Sequence, residues 1–122
     1  EEAKEAMNHG HIVILVGGTG NPYFTTDTTA VLRALELECD VLLKGTKVDG
    51  VYDKDPEKYS KAKKFSKLGY NYVINNNLKI MDMTSIIMAE EASLPIIVFS
   101  IKKRDELKKV IEKKAEFTII SN

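Results

Sequence analysis

IVILV at residues 12–16, followed at once by GGTGNP at residues 17–22, is the stretch on which the fold turns. Five apolar residues, most of them β-branched, bounded by a glycine-rich turn, read as a short strand covered on both faces, as in a parallel sheet. Working outward, Thr26 or Asp27 is expected to cap a helix. In that helix Ala30, Val31, Ala34, Leu35 and Leu37 share one stripe that runs to about Glu38. On the other side, residues 1–8 read as the end of a helix, with Gly10 where a helix stop belongs.

The same alternation continues along the chain. VLL at residues 41–43 is a second buried-type strand, IIVF at residues 96–99 a third, and FTII at residues 117–120 a last one. A helix opens at Asp82, carries Met83, Ile86, Ile87 and Ala89, and reaches about Ala92 before Pro95 ends it; a final helix is expected between Arg104 and Lys113. Residues 44–56 hold two glycines, three aspartates and a proline, a composition for a loop or a ribbon with tight turns. Residues 56–67 are lysine-rich and read as exposed, and residues 70–77 form a short pattern ending in three asparagines, a turn signal. The sum is one layered α/β domain with a mainly parallel sheet. Ligands of such sheets sit at the carboxyl ends of the strands. The loops at residues 17–22 and 45–50 each follow a strand, so both belong to that edge.

Bulk properties narrow the function. Lys+Arg and Asp+Glu balance at 18 each, so no net field draws the chain toward nucleic acid or anionic lipid. The single cysteine, Cys39, ends an apolar helix; it excludes an internal disulfide framework and reads as a part-buried small residue. No apolar run approaches the ~18 residues of a membrane span. The chain opens at Glu1, already in a charged helix-like stretch and without an initiator Met, which suggests a piece of something longer.

Two loops can carry chemistry. In GGTGNP the glycines permit positive φ, so backbone N–H groups can converge on an anion. The following helix adds its positive dipole end, and Thr25 and Thr26 add hydroxyls. A tight strand–helix turn explains the same residues. The dinucleotide fingerprint fails because Tyr23 stands where its third glycine belongs, and a Walker loop fails because no lysine opens the helix. Asp27 either caps this helix or orients lysines and a metal-bound phosphate. KGTKVDGVYDKDP at residues 44–56 mixes lysines suited to phosphate with aspartates suited to Mg²⁺. His9 and His11 lack partners at metal-ligand spacing, and no GxSxG elbow supports hydrolysis.

At this point the residues carry a resemblance. GTGNPYFTTD (residues 18–27) closely resembles the uridylate-binding loop of bacterial UMP kinases, members of the amino acid kinase superfamily. LLKGTKVDGVYDKDP (residues 42–56) looks like their ATP-binding segment, and KIMDMTSIIMAEEASLPIIVF (residues 79–99) matches a later helix and strand. The resemblance spans essentially the whole chain and implies the carboxy-terminal half of such an enzyme, a single partial domain over residues 1–122 with a three-layer α/β/α fold. It departs in having Gly45 where the family often has Ala, and Tyr23 where a second aromatic stands.

The resemblance implies that Thr19, Gly20, Asn21, Pro22, Tyr23, Phe24, Thr25 and Thr26 wrap UMP. It implies that Thr46, Tyr52 and Asp55 contact ATP, with Tyr52 against the adenine, and that the catalytic Asp27 organises the charges around the transferring phosphoryl. Asp82 is given a structural part, and no residue of the chain is assigned to a metal. Mg²⁺ enters with ATP. The family also implies a homohexamer in the cytoplasm, GTP activation and UTP inhibition. It further implies an amino-terminal half bearing a glycine loop with a lysine, an arginine and a UMP-binding aspartate, without which the chain is expected to lack turnover. The competing readings are a non-catalytic nucleotide-binding module and another kinase of the superfamily.

Overall fold

A computed structural model describes residues 1–122. The elements run α1 (Glu2–Asn8), α2 (Thr26–Glu36), β1 (Leu42–Thr46), β2 (Val51–Tyr52), β3 (Lys64–Phe65), β4 (Lys67–Leu68), α3 (Tyr70–Asn75), α4 (Met83–Glu91), β5 (Ile96–Ser100), α5 (Glu106–Ile111) and β6 (Phe117–Ile120). β1, β5, β6 and β4 form one sheet in that order, and β2 and β3 pair separately as a short antiparallel ribbon. The expected α/β fold with a mainly parallel sheet is present.

The sheet is built around β5. β1 pairs with it in parallel from Leu42↔Ile96 to Thr46↔Ser100. β6 pairs with it antiparallel, Ile96 facing Ile120, and β4 then lies parallel to β6. Between β5 and β6 lies the six-residue α5, packed against β5. Ile96, Ile120 and Thr118 are completely buried. α2 packs on α4 and on β1, and α3 packs on α4, so that Val31, Val73, Ile86 and Ala89 join the same core. Burying side chains of this size contributes roughly 1.5–3 kcal/mol each. Cys39 is part-buried against this core.

Three expectations are corrected. Residues 12–16 form no strand, and Ile12, Ile14 and Val16 are 95%, 84% and 88% exposed. β propensity becomes a strand only where a neighbouring backbone supplies donors and acceptors. Among the strands of this chain β1 is bonded to β5 alone, and none lies beside residues 12–16. For the same reason β1, expected to be covered on both faces, is a partly exposed edge. Lastly, the cap of α2 is Thr25, one residue before the expected Thr26 or Asp27: its hydroxyl accepts from the Thr28 N–H at 3.3 Å.

The other helix ends follow the sequence. Past α1, the Gly10 N–H donates to Met7 O and the His11 N–H to Ala6 O, with Gly10 at φ 81°. This is the 5→2 and 6→1 pattern that favours glycine. Asp82 caps α4 by accepting from the Ser85 N–H at 2.8 Å.

Candidate functional site

The turn after residue 16 is built by its glycines. Gly17, Gly18 and Gly20 take φ of 90°, 67° and 78°, and Tyr23 follows at 69°. The Thr19 hydroxyl accepts from the Asn21 N–H at 3.1 Å, and Arg33 of α2 donates to Gly18 O at 3.4 Å. Tyr23 and Phe24 project into solvent. The loop then feeds α2, whose first turn is tied to α4. The Thr25 hydroxyl donates to the Asp82 carboxylate, and the Thr28 hydroxyl donates to it at 3.2 Å. Partial burial pushes the Asp82 carboxyl upward, but the hydrogen bonds from Thr25, the Ser85 N–H and Thr28 outweigh it and hold it below the usual carboxylate range.

Asp27, on the second residue of α2, is turned away from a capping role. Its Oδ1 accepts from Lys44 Nζ at 2.8 Å and its Oδ2 from the Asp82 N–H at 3.3 Å. Lys44 ends the apolar part of β1, and its ammonium also donates to Ile80 O at 2.8 Å. The ion pair is part-buried, with side chains 23% and 29% exposed. Of the two roles left open for Asp27, it takes the one in which the carboxylate orients a lysine.

The second loop closes over a cavity of about 570 Å³ at the carboxyl end of β1. Thr46 shapes its start by accepting from the Val48 N–H at 2.9 Å and donating to Val48 O at 2.7 Å. Gly50 passes so close to β6 that a Cβ there would stand 2.5 Å from Thr118 Oγ1. That hydroxyl accepts from the Val51 N–H at 2.8 Å and donates to Phe65 O at 2.5 Å, pinning the ribbon to the sheet. The Tyr52 phenol donates to Asp49 Oδ1 at 2.7 Å. Lys64 joins Asp49 at 3.4 Å and also pairs with Glu116. Burial pushes the Asp49 carboxyl up, but the Tyr52 hydroxyl and the Lys64 ammonium more than offset it and keep it low. The Asp49 hydrogen bond and burial raise the Tyr52 phenol in turn.

Thr46, Tyr52 and Asp55 all line this cavity, together with Leu78, Lys79 and Ile80. Thr19, Gly20, Asn21, Pro22, Tyr23, Phe24, Thr25 and Thr26 do not line it. They lie on the adjoining loop and at the start of α2, joined to the cavity wall through Asp27, Lys44 and Ile80. Sequence reasoning grouped Lys44 with the phosphate-suited lysines of residues 44–56 and read Asp82 as structural; it named neither as a partner of Asp27. On the far side of the residue 47–56 loop lies a second groove of about 620 Å³, rich in lysines, including Lys47, Lys102, Lys103 and Lys109.

No helix is long and apolar enough to cross a membrane. The sequence profile of the Amino acid kinase family matches residues 1–100. The uridylate kinase of Rickettsia bellii is 54% identical over 118 residues, 97% of this chain and 49% of that protein. The uridylate kinase of Magnetococcus marinus is 55% identical over 98% of this chain and 50% of its own length. The chain thus spans about half the length of these relatives. Among solved structures, UMP kinase from Ureaplasma parvum superposes with a TM-score of 0.95 at 39% identity, covering 99% of this chain and 52% of that one. UMP kinase from Bacillus anthracis gives 0.93 at 34% identity, over 98% and 50%. This chain belongs to the amino acid kinase family, in the region that it shares with uridylate kinases.

Proposed function

We propose that the chain is the nucleotide-cradling half of a UMP kinase, which moves the γ-phosphoryl of Mg-ATP to UMP and yields UDP and ADP in pyrimidine nucleotide synthesis. One observation carries this reading: the cavity lined by Thr46, Tyr52 and Asp55 is tied to the glycine loop by the Asp27–Lys44 pair, so donor and acceptor sites are neighbours. Names of the similar proteins support a kinase with UMP as acceptor.

The reaction asks for positioning and charge neutralisation more than covalent chemistry. Tyr52 offers the adenine an aromatic face, held by its bond to Asp49. Thr46 and Asp55 complete the donor side. Gly20, Asn21, Pro22, Tyr23 and Phe24 surround UMP, with Thr19, Thr25 and Thr26 supplying hydroxyls to its polar groups. Asp27 holds the Lys44 ammonium in place. Mg²⁺, bound with ATP, would supply neutralisation of the phosphate charge. Asp53 and Asp55 line the donor cavity and offer the oxygen ligands that this ion prefers. The lysine and arginine that stabilise the moving charge belong to the remaining half of the enzyme, each contributing a factor of about 10²–10³. The intact protein is a cytoplasmic homohexamer that responds to GTP and UTP, and residues 1–122 form one unit within each subunit.

A coupled assay tests this. The chain alone is expected to give no turnover, and addition of the amino-terminal half of a uridylate kinase is expected to give UMP-dependent ADP release. UMP binding with no turnover in either mixture contradicts the enzyme reading in favour of a nucleotide sensor. Competition by an amino acid or carbamate, with none by UMP, points to another kinase of the family.

A further inference from the structure

Lys44 is itself neither a lining residue of the cavity nor part of the exposed glycine loop, yet its ammonium lies between them. One N–H goes to Asp27 Oδ1 and one to Ile80 O, each at 2.8 Å. Ile80 and its neighbour Lys79 are part of the wall facing Thr46 and Tyr52. Asp27 stands in the first turn of α2, and Asp82, two residues beyond Ile80, returns the connection by bonding Asp27, Thr25 and Thr28. The cavity wall and the head of α2 are thus joined by Asp82 at the head of α4 and by Lys44, midway along β1, whose ammonium holds the wall's own carbonyl at Ile80.

As a stabilising device this pair is a poor one. A part-exposed ion pair typically adds little to folding, and a well-packed apolar residue often does as well in a buried position. What the apolar substitute cannot do is hold a carboxylate and a backbone carbonyl from two different loops at once. When a nucleotide fixes residues 78–80, Ile80 O is fixed with them. Lys44 then holds the Asp27 carboxylate, and with it the first turn that ends the glycine loop.

We propose that Lys44 is a positioning residue that couples occupancy of the Thr46–Tyr52–Asp55 cavity to the affinity of the glycine loop. This rests on the reading above, in which the two sites take ADP or ATP and UMP. Coupling of this kind between neighbouring sites commonly amounts to about 5–150-fold in affinity.

The test measures UMP binding to the chain by titration calorimetry, with and without saturating Mg-ADP, and amide hydrogen exchange at residues 25–28 with Mg-ADP alone. In the wild type, Mg-ADP is expected to tighten UMP binding at least about fivefold and to slow exchange at residues 25–28. In Lys44→Met both effects vanish while Mg-ADP still binds; in Lys44→Arg, which keeps the charge and donors, most of the coupling returns. Lys44→Gln, a milder neutral change, gives the same loss should the Met variant lose its native circular dichroism. Coupling that survives in Met and Gln overturns the proposal. So does equal loss in Arg, Gln and Met, which marks a packing role. If UMP fails to bind but Mg-ADP slows exchange in the wild type and not in Lys44→Met, the uridylate reading falls and the coupling stands. A wild-type chain that binds neither nucleotide contradicts both.

Discussion

Asp82 lies outside both glycine loops, yet its carboxylate accepts from Thr25, Thr28 and the Ser85 N–H. Removing it takes the cap from α4 and leaves two hydroxyls of the α2 turn without their acceptor. Asp82→Ala is therefore expected to cost about 1–3 kcal/mol of stability, read from the urea midpoint. The pH dependence has a definite sign. The folded carboxyl titrates below its ordinary value of 3.8, so its stabilising effect is complete above that value and is lost as pH falls through the lower, folded one. Asp49 acts in the same direction. The wild type should lose stability below about pH 4 with a steeper slope than Asp82→Asn; parallel slopes would remove Asp82 from the account. At this scale the candidate site was legible in part: the resemblance singled out Thr46, Tyr52 and Asp55, and the three line one cavity. Lys44 and Asp82 were not legible as partners, because Asp27 meets them across 17 and 55 residues of chain, and no local pattern encodes that approach.

Elements were legible in proportion to how far their partners lie within the chain. β6 spans Phe117–Ile120 and α4 opens after Asp82, as the alternation and the capping pattern require. The β2–β3 ribbon within a lysine-rich stretch was foreshadowed only as tight turns, since two-residue strands leave too little periodicity to detect. Residues 12–16 have the strongest strand composition in the chain and no strand partner, because composition describes a preference and the ladder requires a neighbour. An apolar segment so exposed carries an association liability rather than folding energy. Ile12→Lys with Ile14→Lys is expected to change the urea midpoint by less than about 0.5 kcal/mol in stability. The same pair should reduce self-association in sedimentation velocity. A clear loss of stability would show that these side chains are packed.

Across the whole molecule, one core joins the sheet to α2, α3 and α4, and Tyr70 sits within it, 1% exposed, with its hydroxyl donating to Leu94 O. Burial pushes this phenol up to about 12 from its ordinary 10.0. The folded chain favours the neutral phenol, so the contribution is complete below pH 10 and declines as pH rises toward 12, where the unfolded chain gains by ionising. Tyr70→Phe should flatten that alkaline decline in urea midpoints, at a neutral-pH cost of about 1 kcal/mol for the orphaned Leu94 carbonyl. An unchanged alkaline slope would place the responsible group elsewhere.

The central claim is that the cavity at the end of β1, rather than the lysine-rich groove across the same loop, receives the adenine nucleotide. Amide shift mapping of the chain with Mg-ADP tests it directly. The account predicts perturbations centred on Thr46, residues 48–56 and residues 77–80. Perturbations centred instead on Lys102, Lys103 and Lys109, with residues 77–80 unmoved, would contradict it.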